Sequence, residues 1–332
     1  MFSSTRLCWI RTLVSGAVAI AVSAACAAPA QLADRGHGDA VQAAATTLPG
    51  GDPRVVQAAG ARSRAAPYRG LGTWVDVYDS RQMARPVAAV RKMHRKGVRT
   101  LFVETANYAS PRAVLHKQAL GRFIHAAHKR GMRVVAWYLP SFSDLRLDRR
   151  RSLAAIDFRT RRGQRFDGFG LDIEATTVRS VQVRLRRLLR LSHQIRRAAG
   201  DRYSLGAITP SPYGMRAMPR YWGKVRKFPF RKLDRIYDVF APMSYFTYRV
   251  NGARDVRKYV NYNIGAVRRI SRNPRARVHP IGGIADETSR REVRAYVRVV
   301  RQRDAMGGSL YDFPLTTRKH WPALRRIPAG PR

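Results

Sequence analysis

The chain reads as a (β/α)8 TIM barrel, a single α/β domain behind an N-terminal export signal and a disordered tether, and three observations carry that reading. From Pro67 onward, short apolar runs alternate with Arg-rich stretches of helical period. Alternation of this kind implies a parallel sheet, because each parallel strand needs a crossover helix to return the chain. The unit recurs eight times in about 265 residues, the size of such a barrel. A doubly wound open sheet is the runner-up. It lacks its signature, since Trp74-Val75-Asp76-Val77-Tyr78-Asp79 follows the start of the first run with no G-x-G-x-x-G.

Residues 1–27 have the tripartite pattern of a secretory signal: Arg6 and Arg11, an uncharged apolar run from Leu13 to Ala25, then Ala25-Cys26-Ala27. The run is too short for a confident membrane span. Cys26 leaves two readings, a lipid-anchoring cysteine or a residue beside an ordinary cleavage site. Ser23 stands where a lipoprotein signal has Leu or Val and favours the second. Either way the expected location is secreted or envelope-associated. Cys8 and Cys26 are the only cysteines, so the mature fold has no internal disulfide, thiolate metal site or cysteine nucleophile. Residues 28–66 are rich in Ala, Gly, Gln, Thr and Pro without a sustained period, which reads as a disordered linker.

The barrel is expected over 67–328. Its strands are read at Gly72 to Val77, Thr100 to Glu104, Arg133 to Tyr138, Phe169 to Glu174, Ser204 to Thr209, Val239 to Met243, His279 to Ile284 and Gly308 to Tyr311. Helices are read at Arg85 to Lys96, Arg112 to Arg130, Asp144 to Ala155, Val178 to Ala199, Arg231 to Tyr237, Asp255 to Ser271 and Arg290 to Arg303. Ser110-Pro111 looks like a cap with a first-turn proline, Gly131 and Gly200 like stops, and Ser289 with Glu292 like a capping box. Ile156 to Gln164 has two readings: the end of a helix, or a small hairpin turning at Arg162-Gly163.

Catalytic groups in such barrels sit at the C-terminal strand ends. In the fourth run, Gly168, Gly170, Asp172 and Glu174 share one face while Phe169, Leu171 and Ile173 share the other. Two carboxylates side by side on a buried face are costly, and an active-site mouth is the usual reason to keep them. The plainer alternative is a structural pair bonded to arginines and backbone. The other strand ends supply Trp74 and Asp76, Glu104 with Asn107 and Tyr108, Trp137 and Tyr138, Thr209, Met243 and Tyr245, Asp286 and Glu287, and Tyr311 with Asp312. Of these, Trp74, Asp76, Glu104, Trp137, Tyr138, Met243, Asp286 and Tyr311 are the expected substrate contacts. The histidine ligand set of a metal-dependent barrel hydrolase is missing, so neither a metal nor another cofactor is expected. A cation held by Asp76, Glu104, Asp172 and Glu174 is the minor alternative.

The loops after the fifth and sixth strands carry Tyr213, Tyr221, Trp222, Phe228, Phe230, Phe246 and Tyr248. Aromatic faces beside acids suit a sugar cleft, since pyranose C–H faces stack on rings while carboxylates bond hydroxyls. The same aromatics could equally pack the loops onto the barrel.

Asp167-Gly168-Phe169-Gly170-Leu171-Asp172-Ile173-Glu174 resembles the fourth-strand D-G-x-D-x-D-x-E signature of family 18 glycoside hydrolases, the chitinase-like barrels, with Gly170 replacing one aspartate. Met243-Ser244-Tyr245 resembles that family's sixth-strand M-x-Y, and Gly307-Gly308-Ser309-Leu310-Tyr311 its eighth-strand G-G-x-x-W with Tyr for Trp. The resemblance implies a retaining glycosidase in which the substrate's 2-acetamido group is the nucleophile, an exception to the two-carboxylate scheme. It implies Glu174 as acid/base, Asp172 as the residue that orients the acetamido group, and Tyr245 as its hydrogen-bond donor. The D-G-x-x-L-D pattern also fits another glycosidase family, with Glu174 paired to Asp286 or Glu287. The expected partner is a polysaccharide or cell-wall glycan met by a monomer, and the rival reading is a catalytically weak barrel that binds glycans.

A formal charge of +43 allows a third reading, a polyanion-binding surface protein. Arg149-Arg150-Arg151, Arg186-Arg187 and the spaced Arg294, Arg298, Arg301 and Arg303 look mostly like solvated helix faces. Acidic polymers are the partners such a surface would attract, and no nucleic-acid module accompanies it.

Overall fold

Strands covered on both sides need no polar alternation, and the apolar runs of this chain become eight strands that are buried almost throughout. In the computed structural model, which describes residues 64–328, these are β1 (Gly70–Val75), β2 (Thr100–Asn107), β3 (Arg133–Leu139), β4 (Gly168–Asp172), β5 (Ser204–Pro210), β6 (Val239–Met243), β7 (Ile281–Ile284) and β8 (Gly307–Tyr311). All pair in parallel with their sequence neighbours, and β8 returns to β1 through Gly70 opposite Gly307, closing the barrel. The expected signal, Cys8, Cys26 and nearly all of the expected tether lie outside the described residues.

Around the barrel run α1 (Pro86–Arg95), α2 (Lys117–His128), α3 (Leu145–Ile156), α4 (Val181–Ala199), the single turn α5 (Phe230–Leu233), α6 (Gly252–Ser271), α7 (Arg290–Gln302) and the short α8 (Trp321–Leu324). Helix α7 shows why they dock. Val293, Tyr296, Val297 and Val300 are buried on one face, while Arg290, Arg294, Arg298 and Arg301 are exposed on the other. Its start is the expected capping box, with the Ser289 and Glu292 side chains exchanging bonds with each other's backbone N–H. Gly131 and Gly200 both adopt positive φ at helix ends. Among the described residues, no helix is long and apolar enough to cross a membrane.

Several boundaries move. Helix α2 begins at Lys117 rather than Arg112, and Ser110 is not its cap: Ser110 Oγ instead accepts the Asn107 N–H at 2.9 Å, tightening the loop after β2. Strand β1 starts and ends two residues early, which puts Asp76 just past it. Strand β7 begins at Ile281, since Val278 makes only an isolated bridge to Phe240. Of the two readings of Ile156 to Gln164, both hold in part. Helix α3 ends at Ile156, and a tight turn then runs through Gly163 with Thr160 N–H donating to Gln164 O.

The expected domain start at residue 67 falls inside a short 3-10 turn, Ala66–Tyr68, that stoppers the barrel from below. Tyr68 is fully buried and its hydroxyl donates to Phe169 O at 2.7 Å. The turn is anchored by Arg64, whose Nε lies 2.8 Å from Asp238 Oδ1. Above it, Phe102 and His279 fill the space that Gly72 leaves open, and Trp74 stacks on Phe102 with centroids 4.2 Å apart. The interior is therefore packed at the base and middle. Its carboxylates gather at the upper end, at the C-terminal ends of the strands, while the polar His279 and Ser309 below are paired with each other and with Trp74.

Candidate active site

Strand alternation makes the mouth. On β4 the bulky Phe169, Leu171 and Ile173 face the helices and are fully buried, so Gly170 and Asp172 face inward. Glu174 follows two residues beyond Asp172 and is half-buried at the rim. Asp172 is 7% exposed, and its Oδ1 is buried with no hydrogen-bond partner. Burial, then the charges of Glu174 and Glu104, push the Asp172 pKa well up. Burial likewise raises Glu174 to about 7.

Glu104, inward on β2, is held in place by two donors: Val77 N–H to Oε2 at 3.0 Å and Asn107 Nδ2 to Oε1 at 3.3 Å. Burial and the neighbouring Asp76 nevertheless lift it to about 8. Asp76 accepts the Tyr78 N–H at 2.8 Å and the Tyr311 hydroxyl at 3.1 Å, tying the ends of β1 and β8 together. Tyr245, just past β6, has its ring 6.1 Å from that of Tyr311 and 6.2 Å from that of Tyr248. Burial and the charges of Glu174 and Asp172 hold its phenol protonated far into the alkaline range. Asp76, Glu104, Asp172 and Glu174 thus form one interacting group with Tyr245 and Tyr311. Glu104, Asp172 and Glu174, with raised proton affinities, can give up a proton near neutrality, whereas the two phenols keep theirs and serve as hydrogen-bond donors.

The remaining expected contacts divide. Trp137, 5% exposed, is at the floor of the mouth with its indole Nε1 buried and unpartnered, and Met243 lies on the inner face below Tyr245. Trp74 is 2% exposed inside the barrel, donating to Ser309 Oγ at 2.8 Å. Tyr138 faces the other way: its hydroxyl donates to Asp148 Oδ1 at 2.6 Å under α3, outside the mouth. Asp286 and Glu287 are exposed beyond β7, and the charge of Asp286 acts on His320 rather than on the carboxylate group. They are not brought to Glu174.

The sequence reading missed Tyr78 and Asp79 as contributors. Tyr78, 52% exposed, receives a hydrogen bond from Asn107 Nδ2 at 3.0 Å. Its signal was present in the alternation Asp76-Val77-Tyr78, broken by a turn after β1. Of the four carboxylates weighed as cation ligands, only Asp76 joins a three-oxygen cluster, with Asp79 and Asp312, whose ligand atoms lie within 4.8 Å of one another.

Gly170 is filled around. A Cβ there would lie 3.0 Å from Ile208 Cδ1 and 3.6 Å from Trp137 Cβ, so Ile208 of β5 takes the room beside Asp172. The loop aromatics are chiefly structural. Trp222, Phe228, Phe230 and Phe246 are buried, with Trp222 against Phe142 and Phe228 and under the Arg184 guanidinium. Arg151, from the arginine run expected to be solvated, is buried and donates to Asn107 O, Tyr108 O and Ser110 O, bracing the loop beside Glu104.

No protein-family model matches the chain, and no curated protein matches it in sequence. Solved structures do match in fold. An endo-β-1,4-mannanase from Thermotoga petrophila superposes with a TM-score of 0.57 at 12% identity, over 74% of this chain and 68% of the mannanase. A chitinase from Bacteroides thetaiotaomicron gives 0.57 at 10% identity over 78% and 95% of the two chains. A family GH18 chitinase from Cycas revoluta, in complex with allosamidin, gives 0.56 at 11% identity over 77% and 98%. The chain therefore has a TIM-barrel fold of the kind shared by several distinct glycosidase families. Mannanases and chitinases match equally well, so the fold does not single out family 18.

Proposed function

We propose that the protein is a glycoside hydrolase acting on a polysaccharide or cell-wall glycan, with Glu174 as its proton donor. One observation carries this reading. Asp172 and Glu174 stand at the end of one strand in a polar mouth where burial raises the proton affinity of both, and Asp172 Oδ1 and Trp137 Nε1 lie buried without partners. An acceptor and a donor left unsatisfied at the base of a mouth are costly, and a bound sugar offering hydroxyl or amide groups relieves both.

In this reading Glu174 gives its proton to the glycosidic oxygen as the bond to the anomeric carbon lengthens, and then takes one back from water. Tyr245 donates from a phenol that never ionises near neutrality, and Asp172 Oδ1 accepts from a substituent of the sugar. Glu104, held neutral to about 8, is a poor nucleophile. That favours a nucleophile supplied by the substrate, the acetamido group of the family 18 scheme. A second reading, a barrel that binds glycans without cleaving them, is favoured by Ile208, which occupies the place where an aspartate partner of Asp172 would stand.

The test is hydrolysis of a panel of N-acetylglucosamine polymers, mannan and acidic polysaccharides. On the best substrate, Glu174→Gln is expected to lower kcat by roughly 10²- to 10⁴-fold. The wild-type rate should fall as pH rises through about 7, where Glu174 loses its proton. Unchanged turnover by the variant defeats the assignment. Glycan binding without turnover by the intact protein establishes the second reading.

A further inference from the structure

Between α3 and α4, on the outer wall of the barrel, runs an open groove of about 1350 Å³. Arg146 and Arg149 line it from α3, and Arg186, Arg190 and Arg197 from α4, all five exposed. Arg187 reaches the loop before α3, donating to Phe142 O at 2.8 Å and Ser143 O at 3.1 Å, which fixes the groove's upper end. Its one acid is Asp144, whose carboxylate is engaged in capping α3 through the backbone N–H groups of Arg146 and Leu147. Among the described residues, no carboxylate forms an ion pair with any of the five exposed arginines.

We propose that this groove holds a strand of a polysaccharide that carries carboxylates alongside 2-acetamido sugars, and leads it to the mouth. Three features fit that occupant. Arg186, Arg190 and Arg197 follow one helix face over about 16 Å, at 1.5 Å per residue, so they meet an extended chain rather than a compact anion. The volume exceeds the roughly 300–1,000 Å³ of small-molecule sites. Arginine forks match carboxylates, as they do phosphates, two bonds at a time.

The groove's upper end also reaches the loop that follows Glu174. Ser143 Oγ donates to Thr177 Oγ1 at 3.3 Å, and Thr177 is three residues past Glu174. The mouth itself is lined by acids that repel an acidic sugar when ionised, so attraction for the strand comes from outside it. The destination of the strand rests on the glycosidase reading, whereas its capture does not.

The experiment measures binding of polygalacturonate, neutral mannan and duplex DNA to the intact protein at about 0.15 M salt. Two variants remove the same charge: R186Q/R190Q/R197Q in the groove, and R294Q/R298Q/R301Q on the outer stripe of α7. The groove variant is expected to weaken polygalacturonate binding at least about tenfold and the α7 variant less than about twofold, with mannan binding unaffected by either. Equal losses in both variants overturn the proposal in favour of a diffuse field. Tighter binding of DNA than of polygalacturonate, lost in the groove variant, overturns it in favour of nucleic acid. Should the triple variant fail to fold, R146Q/R149Q from the opposite wall carries the same expectation. Glu174→Gln should bind polygalacturonate as the wild type does, so a failed acid assignment and a failed groove are told apart.

Discussion

Glu104 is the residue whose cost is easiest to isolate. Its ordinary value of 4.5 rises to about 8 because the barrel removes it from water and sets Asp76 beside it. The folded state therefore binds a proton that the unfolded chain releases above about 4.5. Its contribution to stability is fully present below that pH and is lost as pH rises through about 8. The loss amounts to a few kcal/mol, at roughly 1.4 kcal/mol for each tenfold change in proton affinity. Glu104→Gln is expected to shrink the fall in denaturant stability between about pH 5 and about pH 9, and an unchanged pH profile in urea titrations would show that Glu104 is not held neutral. Gly170 carries the other lesson at this scale. The strand pattern already lacked an aspartate there, but only the packing shows what replaced it, since Ile208 reaches in from a different strand.

At the scale of elements, the barrel closes where two glycines face each other. A Cβ on Gly307 would lie 2.4 Å from Gly70 O and 2.6 Å from His279 Nδ1, so β8 and β1 could not keep their hydrogen bonds. Gly307→Ala is expected to destabilise the protein by about 1–3 kcal/mol or more. Gly121 in α2 is the contrast. Its nearest neighbour to a new Cβ is Thr160 Cγ2 at 3.8 Å, and alanine there should gain up to about 1 kcal/mol through helix propensity. Equal melting temperatures for the two variants would contradict a closure that depends on bare glycine. Elements with strong local signals were legible in advance: the Ser289 and Glu292 box, the Gly200 stop and the period of α7 all depend on neighbours in sequence. Ser110 misled because the same hydroxyl serves a helix cap or a tight loop equally well, and contacts with Asn107 chose the loop.

For the whole molecule, a charge of +43 sets long-range repulsion against the short-range packing of one barrel core. Few of these cations find acids, because Lys and Arg number 64 against 21 for Asp and Glu. Raising sodium chloride from about 10 mM to about 150 mM is expected to raise the melting temperature as the Debye length shortens to about 8 Å. A fall over that range would mean that ion pairs outweigh repulsion. The surplus is not uniform in its work: Arg151 and Arg184 are buried as braces of loops, while the arginines of α3 and α4 face one groove.

Residue period along single segments was enough to specify the repeated strand and helix alternation, the inward pair Asp172 and Glu174, and the polar strand ends. Which strand ends meet was settled by packing in three dimensions. It turned Tyr138 outward to Asp148, left Asp286 at the surface, filled the space beside Gly170 with Ile208 and joined Asp76 to Tyr311. Those outcomes depend on barrel closure, which brings together side chains up to 235 residues apart and removes them from water at once.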